Sequence, residues 1–224
     1  MKLSGAIFDM DGTLIDSMWI FENYATRYVR HRGLLAAPEL ERDVEKLTLS
    51  ECAVYLADTY HLDGGAERVE RELGSIADAL YDTVLPKPGV LDMLKLFRDA
   101  GIPMALATMT ARPTVERVLS RLGILPYLSH IFTCDEVGAL KSSPKIYREA
   151  LAALGTRKEE TFVFEDAFYA ICTASRDGFP TVAIYEKGRD SRFSEACDLS
   201  VLAVKDYRDV DFSPYLAKKE AKRL

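Results

Sequence analysis

The stretch Gly5-Ala6-Ile7-Phe8-Asp9-Met10-Asp11-Gly12-Thr13 near the start of the chain decides the fold. Its apolar run, Gly5–Phe8, is typical of a short buried strand, and two carboxylates one residue apart follow directly. Such an acidic turn suits a loop that binds a metal ion or faces a phosphate, and a solvated Asp-Gly turn is the alternative. An EF-hand loop is excluded because, counting from Asp9, its required glycine would be Leu14 and its bidentate glutamate Ile20.

Five further apolar runs follow along the chain, and segments with helical periodicity separate most of them. Alternation of buried strands with helices predicts an α/β fold, a Rossmann-like doubly wound parallel sheet with helices on both faces. A glycine just after each helical segment suits its carboxyl end. The predicted strands are 102–107, 130–132, 161–164, 181–185 and 199–204, and the predicted helices are 90–100, 114–122 and 146–154.

A helical segment of about 65 residues interrupts this alternation after the first strand. It shows the periodicity of three helices, and Thr48 with Glu51 three residues later is typical of a capping box. The Leu-Pro-Lys-Pro-Gly sequence at 85–89 indicates a stiff linker. These patterns predict an inserted α-helical cap subdomain at residues 16–83 and an α/β core of residues 1–15 and 84–224. The predicted cap helices are one that ends near Gly33, a second at 48–60 and a third at 66–81. At the other end of the chain, a solvated tail or frayed helix is expected at 217–224.

Composition excludes several classes of protein. The 224 residues are 48% hydrophobic and 29% charged, as in globular proteins, so the bulk of the chain is not disordered. The net charge of −6 disfavours general affinity for nucleic acid or for an anionic membrane. No apolar run approaches the ~20 residues of a membrane span, and the first run is too short for a signal peptide. The four cysteines form no CxxC pair, so free thiols and a cytoplasmic location are expected.

Polar residues lie at or shortly after the ends of other predicted strands. They are Thr108, Lys141 and the pair Glu165-Asp166. Because ligands bind beyond the carboxyl ends of parallel strands, we expect these side chains to meet Asp9 at one edge of the sheet. Acids, a hydroxyl and an ammonium gathered there could hold a divalent cation and a phosphate together.

Four segments in order resemble the motifs of the haloacid dehalogenase (HAD) superfamily of phosphotransferases across nearly the whole chain. The first motif is Asp9-Met10-Asp11-Gly12-Thr13, and the second is Leu106-Ala107-Thr108. The third is Lys141-Ser142-Ser143-Pro144, with serine where the family usually has proline after the lysine, and the fourth begins at Phe164-Glu165-Asp166. The helical insert resembles the cap of the subgroup that contains phosphoglycolate phosphatases, sugar phosphatases and β-phosphoglucomutase.

The resemblance implies a role for each of these residues. Asp9 would be the nucleophile that forms an aspartyl-phosphate, and Asp11 the acid and base toward the leaving alcohol and water, or else a purely structural residue. Lys145 competes with Lys141 as the phosphate lysine, and Glu165 would bind the metal ion directly or through another ligand. The implied phosphate-binding residues are Thr108, Met109 and Lys141, and the implied Mg²⁺ ligands are Asp9, Asp11 (through its backbone carbonyl), Asp166 and Glu165.

These roles predict a Mg²⁺-dependent phosphatase acting on a small phosphorylated metabolite, with no nucleic-acid or membrane partner, as a monomer or weak homodimer. A β-phosphoglucomutase-like sugar-phosphate mutase is the enzymatic alternative. It is weakened because Phe21 stands where that branch usually has a cap histidine. An alternative of another class is a non-catalytic phosphate-binding module on the same fold. An assay with a generic aryl phosphate and Mg²⁺ separates the classes.

Overall fold

A six-stranded parallel sheet is the centre of the larger of two structural units. The computed structural model describes residues 1–44, 47–187 and 190–216. One unit consists of Met1–Asp16 and Leu85–Leu224, and the other of Ser17–Val84. Each boundary lies one residue beyond the boundary expected from the sequence. The predicted tail at 217–224 lies outside the described residues.

The strands of the larger unit run in the spatial order β5-β4-β1-β6-β7-β8, and each pair of neighbours is parallel. This confirms the predicted doubly wound α/β class. A two-residue antiparallel pair, β2 with β3, lies outside this sheet. The strands are β1 (Gly5–Phe8), β2 (Ile15–Asp16), β3 (Leu85–Pro86), β4 (Met104–Thr108), β5 (His130–Thr133), β6 (Thr161–Glu165), β7 (Thr181–Ile184) and β8 (Leu202–Val204).

Ten α-helices lie in the described part of the chain, four in the smaller unit and six in the larger. Those of the smaller unit are α1 (Tyr24–His31), α2 (Leu40–Val44), α3 (Leu49–Thr59) and α4 (Gly65–Tyr81). Those of the larger unit are α5 (Val90–Asp99), α6 (Arg112–Arg121), α7 (Cys134–Val137), α8 (Lys145–Leu154), α9 (Phe168–Arg176) and α10 (Asp190–Leu199). Among the described residues, no helix combines the length and the apolar character that crossing a membrane requires.

Both faces of the sheet are buried, which explains why its strands are continuous apolar runs. On one face the rings of Phe8 and Phe164 lie 4.5 Å apart and pack with Phe97 of α5. On the other face Ile7 joins a cluster that includes Ile146 of α8. Burying one such side chain stabilises the fold by roughly 1.5–3 kcal/mol. Successive residues of β1 therefore tie helices to opposite faces of the sheet.

The smaller unit has its own core, built mainly where α3 and α4 pack together. Tyr28, Leu56 and Leu73 are almost fully buried there. The expected capping box begins α3, since the Thr48 hydroxyl accepts from the Glu51 amide and the Glu51 carboxylate accepts from the Thr48 amide at 2.8 Å. A helical unit with this core is consistent with the inserted segment lacking strand patterns.

Three local predictions were wrong. The inserted segment contains four α-helices and not three, because the five-residue α2 is too short to show a helical period. The run 199–204 is not one strand, because Leu199 ends α10 and only Leu202–Val204 pairs with β7. Ala196 of α10 is buried in a cluster with Ile171 and Ala183, so this segment is held as a helix by tertiary packing. The supposed linker at 85–89 begins with β3, because its first two residues pair with β2.

Candidate active site

Three neighbouring strands bring the first functional residues to one edge of the sheet. Phe8, the last residue of β1, is in register with Phe164 of β6, and the Asp9 amide donates to the Phe164 carbonyl at 3.0 Å. Glu165 ends β6, and Thr108 ends β4 on the other side of β1. The parallel register thus places residues that are far apart in the chain beside one another.

Three carboxylates and one ammonium form the centre of this edge. Asp9, Glu165 and Asp166 are buried, and each offers an oxygen within 4.8 Å of those of the other two. Lys141 is 2% exposed, and its Nζ donates to Asp9 Oδ1 and, at 2.6 Å, to Glu165 Oε1. These four of the residues expected at this edge are joined by hydrogen bonds or by neighbouring carboxylate oxygens.

Burial disfavours the ionised form of the carboxyl groups in this cluster. Burial raises the pKa of Asp9 and raises that of Glu165 to about 8, and the nearby Lys141 opposes both shifts. Burial by itself lowers the pKa of Lys141, but the two adjacent carboxylates outweigh it and the net pKa is raised. Lys141 therefore stays protonated, and three carboxyl groups share one permanent positive charge.

The cluster fits a divalent cation. Glu165 Oε2 is buried and has no hydrogen-bond partner among the described residues. A buried oxygen without a partner is costly, and carboxylate oxygens are the ligands that Mg²⁺ prefers. A cation beside Asp9, Glu165 and Asp166 would satisfy this oxygen and stabilise the ionised carboxylates, which burial disfavours.

Asp11 lies apart from the three carboxylates that meet, although it is only two residues from Asp9. Its Oδ2 accepts a hydrogen bond of 2.5 Å from the Thr110 hydroxyl. Gly12 follows with a φ of 73°, a left-handed conformation that glycine adopts without steric cost. Asp9 is bonded to Lys141 and Asp11 to Thr110, so the two side chains can serve different purposes.

The second and third motifs supply polar groups of different exposure. Thr108 is fully buried, and its hydroxyl accepts from the Thr110 amide at 3.0 Å. Met109 is 49% exposed. Lys145 begins α8 and donates at 2.5 Å to the Val137 carbonyl, so its ammonium is engaged away from the carboxylates. Between the two lysines considered for phosphate, only Lys141 joins the cluster.

Two residues that sequence reasoning missed hold this site in place. Tyr147 is buried on α8, and its hydroxyl donates to Glu165 Oε1 at 2.9 Å. Burial and the adjacent Glu165 carboxylate raise the pKa of Tyr147, which keeps the hydroxyl protonated as a donor. Thr110, the donor to Asp11, is the second. In the sequence, the only signal for them is their position close to two expected site residues. Tyr147 follows Lys141 by six residues, and Thr110 follows Thr108 by two.

Comparison with known proteins agrees with this arrangement. Hexitol phosphatase A from Escherichia coli (strain K12) is 27% identical over 195 residues, covering 87% of this chain and 89% of that protein. A phosphorylated carbohydrates phosphatase from Thermotoga maritima is 28% identical over 181 residues, covering 80% of this chain and 84% of that protein. The structure of a candidate β-phosphoglucomutase from Thermotoga maritima has a TM-score of 0.78 at 24% identity over 93% of this chain and 96% of that one, a likeness of fold.

The resemblance seen in the four motifs is confirmed by a family model. The model of the haloacid dehalogenase-like hydrolases matches residues 3–174, about three quarters of the chain, and all four motifs begin within that range. The parallel sheet is the one expected from the sequence. The chain therefore belongs to the haloacid dehalogenase-like hydrolase family and is an enzyme.

Proposed function

We propose that this enzyme is a Mg²⁺-dependent phosphatase that hydrolyses a small phosphate monoester through an aspartyl-phosphate on Asp9. The observation that carries the proposal is the buried cluster in which Lys141 bridges Asp9 and Glu165 beside Asp166. Phosphoryl transfer requires alignment and charge neutralisation more than other chemistry, and this cluster would supply both once it holds a cation.

Asp9 acts as the nucleophile in the first half-reaction. One carboxylate oxygen attacks phosphorus, the bond from phosphorus to the ester oxygen breaks, and the leaving alcohol receives a proton from Asp11. Burial opposes ionisation of Asp9, and the hydrogen bond from the Lys141 ammonium counteracts that effect. Lys141 thus favours the anionic form of Asp9 that a nucleophile requires.

Asp11 completes the second half-reaction. It removes a proton from water as the water attacks the aspartyl-phosphate, which releases inorganic phosphate and restores both aspartates. The bond from Thr110 orients the Asp11 carboxyl group in the absence of substrate. The Thr108 hydroxyl, the Met109 amide and the Lys141 ammonium would bind the phosphate oxygens.

The metal ion would be held by Asp9, Asp166 and Glu165 together with the backbone carbonyl of Asp11. When bound, Mg²⁺ offsets the negative charge of the carboxylates and of the dianionic phosphate group and fixes the position of the latter. Tyr147 and Lys141 both donate to Glu165 Oε1, so they would leave Oε2 of this residue for the ion.

A sugar phosphate or similar metabolite is the substrate class that best fits these comparisons. Two of the similar proteins, hexitol phosphatase A and the phosphorylated carbohydrates phosphatase, are named for substrates of this class. In the same proposal, the inserted segment 16–83 is the cap domain that selects the substrate.

The test is turnover of p-nitrophenyl phosphate and of a panel of hexose and hexitol phosphates, with Mg²⁺ and with excess EDTA. We expect EDTA to abolish turnover and Asp9→Asn to lower kcat at least about 1000-fold. Asp92→Asn, at an exposed aspartate in the first turn of α5, is the matched control. Full activity in EDTA, or equal slow rates of wild type and Asp9→Asn, would refute the proposal. Isomerisation of β-glucose 1-phosphate without release of phosphate would identify a mutase instead.

A further inference from the structure

A cleft on the smaller unit has properties that the proposed reaction does not use. It lies between α1 and α4, has a volume of about 810 Å³, and all its lining residues belong to the unit Ser17–Val84. We call it the arginine cleft, after the residues that define it: Tyr28, Arg32, Arg68, Arg71 and Glu72. It shares no residue with the carboxylate cluster of the sheet edge.

The charge of the arginine cleft is opposite to that of its surroundings. Residues 17–84 contain 13 acidic and seven basic residues, yet three of those seven are the arginines of this cleft. Glu72 is the single acidic residue among the lining residues. Like charges held close together repel one another, so an excess of two positive charges in one cleft favours an anionic ligand.

The cleft is organised in advance by Glu72. Its carboxylate accepts from the Tyr28 hydroxyl at 2.7 Å, from Arg32 Nη1 at 2.8 Å and from Arg68 Nε at 2.8 Å. The hydrogen bond from Tyr28, followed by that from Arg68, lowers the pKa of Glu72 to about 2, so it stays ionised. These bonds occupy one nitrogen of each guanidinium, and a guanidinium carries five N–H donors in a planar fork. Donors of Arg32 and Arg68 therefore remain for a ligand while both groups are held in place.

Arg71 adds a cation that the protein neutralises only weakly. Its side chain is 70% exposed, and its ion pair with Glu67 is 3.9 Å long with a partner that is 93% exposed. Exposed pairs of this kind contribute little, because solvent and salt screen them. The guanidinium is therefore available to a ligand that enters the cleft.

We propose that the arginine cleft is a binding site for a small dianionic phosphate group, either inorganic phosphate or a phosphate monoester. Two excess positive charges match the charge of a phosphate dianion at neutral pH. Guanidinium groups bind phosphate oxygens through paired N–H donors, a geometry that the bonds to Glu72 prepare. The cleft is larger than phosphate itself, so it has room for the organic part of an ester.

The experiment follows the side-chain Nε–Hε NMR signals of the arginines during titration of the full-length protein, free of Mg²⁺. Inorganic phosphate is added in one series and glucose 6-phosphate in another, with chloride at equal ionic strength as the reference. We expect saturable shifts of the Arg32, Arg68 and Arg71 signals with a Kd of about 1 mM or tighter. A lower Kd for the ester than for phosphate identifies an organic phosphate as the ligand, and equal Kd values identify phosphate itself.

Substitutions of single arginines test whether phosphate binds in the arginine cleft. Arg71→Gln should weaken binding about tenfold or more, as expected for loss of a charge-assisted hydrogen bond, without changing the rate of phosphatase turnover. Arg42→Gln is the control, because that arginine is 73% exposed in the same unit and lies outside the cleft. Arg32→Lys, which keeps the charge, tests the need for a planar fork. The proposal is overturned if the three signals do not saturate. It is also overturned if Arg71→Gln binds phosphate as tightly as wild type and the Arg42→Gln control do.

Discussion

Replacing Tyr147 with phenylalanine tests whether the proposed catalytic cluster depends on its buried support. The variant removes one hydroxyl, which donates to Glu165 Oε1 at 2.9 Å, and keeps the ring that packs 6.2 Å from Phe179. A hydrogen bond to a charged group contributes about 1.5–3 kcal/mol. Glu165 Oε1 keeps its bond from Lys141 at 2.6 Å, so we expect a loss near the lower limit, about 1.5 kcal/mol of unfolding free energy.

The same change should affect catalysis more than substrate binding. The Tyr147 hydroxyl donates to Glu165, the carboxylate that we propose for the metal ion, and not to an expected phosphate-binding residue. Supporting residues of metal ligands typically contribute about 10–100-fold in metal affinity or activity. Tyr147→Phe should therefore raise the Mg²⁺ concentration for half-maximal activity about tenfold, with a smaller change in KM for the ester.

The assay is turnover as a function of Mg²⁺ concentration, paired with urea unfolding of the same preparations. Tyr55→Phe is the control, because the Tyr55 hydroxyl also donates to a carboxylate, that of Asp43, but at 3.2 Å on the exposed surface of the smaller unit. If Tyr147→Phe retains the Mg²⁺ dependence of wild type while it loses stability, the tyrosine is only a packing residue and the reasoning is wrong.

Three further predictions concern other parts of the chain. Thr110→Val removes the 2.5 Å hydrogen bond to Asp11 and should lower kcat about tenfold. Thr110→Ser keeps the hydroxyl and should retain most of the wild-type kcat. Equal steady-state rates for the two variants would contradict a role of this hydrogen bond. Lys141→Met should lower the unfolding free energy measured in urea by about 3–5 kcal/mol, because the buried carboxylates of Asp9 and Glu165 then lack their cation. A loss below about 1 kcal/mol would show that these carboxylates become protonated instead. The pKa of Glu72 is lowered from 4.5 to about 2, so its contribution to stability is present above pH 4.5 and is lost as the pH falls toward 2. Acid unfolding followed by the fluorescence of Trp19, the single tryptophan, should therefore show less pH dependence between 4.5 and 2 in Glu72→Gln, and an unchanged profile would refute the assignment.

Much of the fold could be predicted because its signals are local. The run Gly5–Phe8 is apolar at every position and its counterparts at most positions since both sheet faces are covered, and that pattern is visible without any tertiary information. The same reasoning was wrong at Leu199, where an apolar residue ends a helix, because periodicity over a few residues does not distinguish a strand from a helix end. The pairing of Leu85 with Asp16 was also missed, since a two-residue strand carries almost no pattern.

The sequence by itself determined which residue types stand at the ends of the strands. Asp9, Thr108 and Glu165 follow directly from the strand pattern and from the rule that parallel strands present their carboxyl ends at one edge. The tertiary structure decided which of these groups touch. Lys141 and Glu165 are separated by 24 residues, and Tyr147 and Glu165 by 18, so no local periodicity relates their side chains. These contacts exist because α8 packs against β1, β4 and β5 and carries Tyr147 with it, and burial there makes a carboxylate dependent on the donors that packing provides.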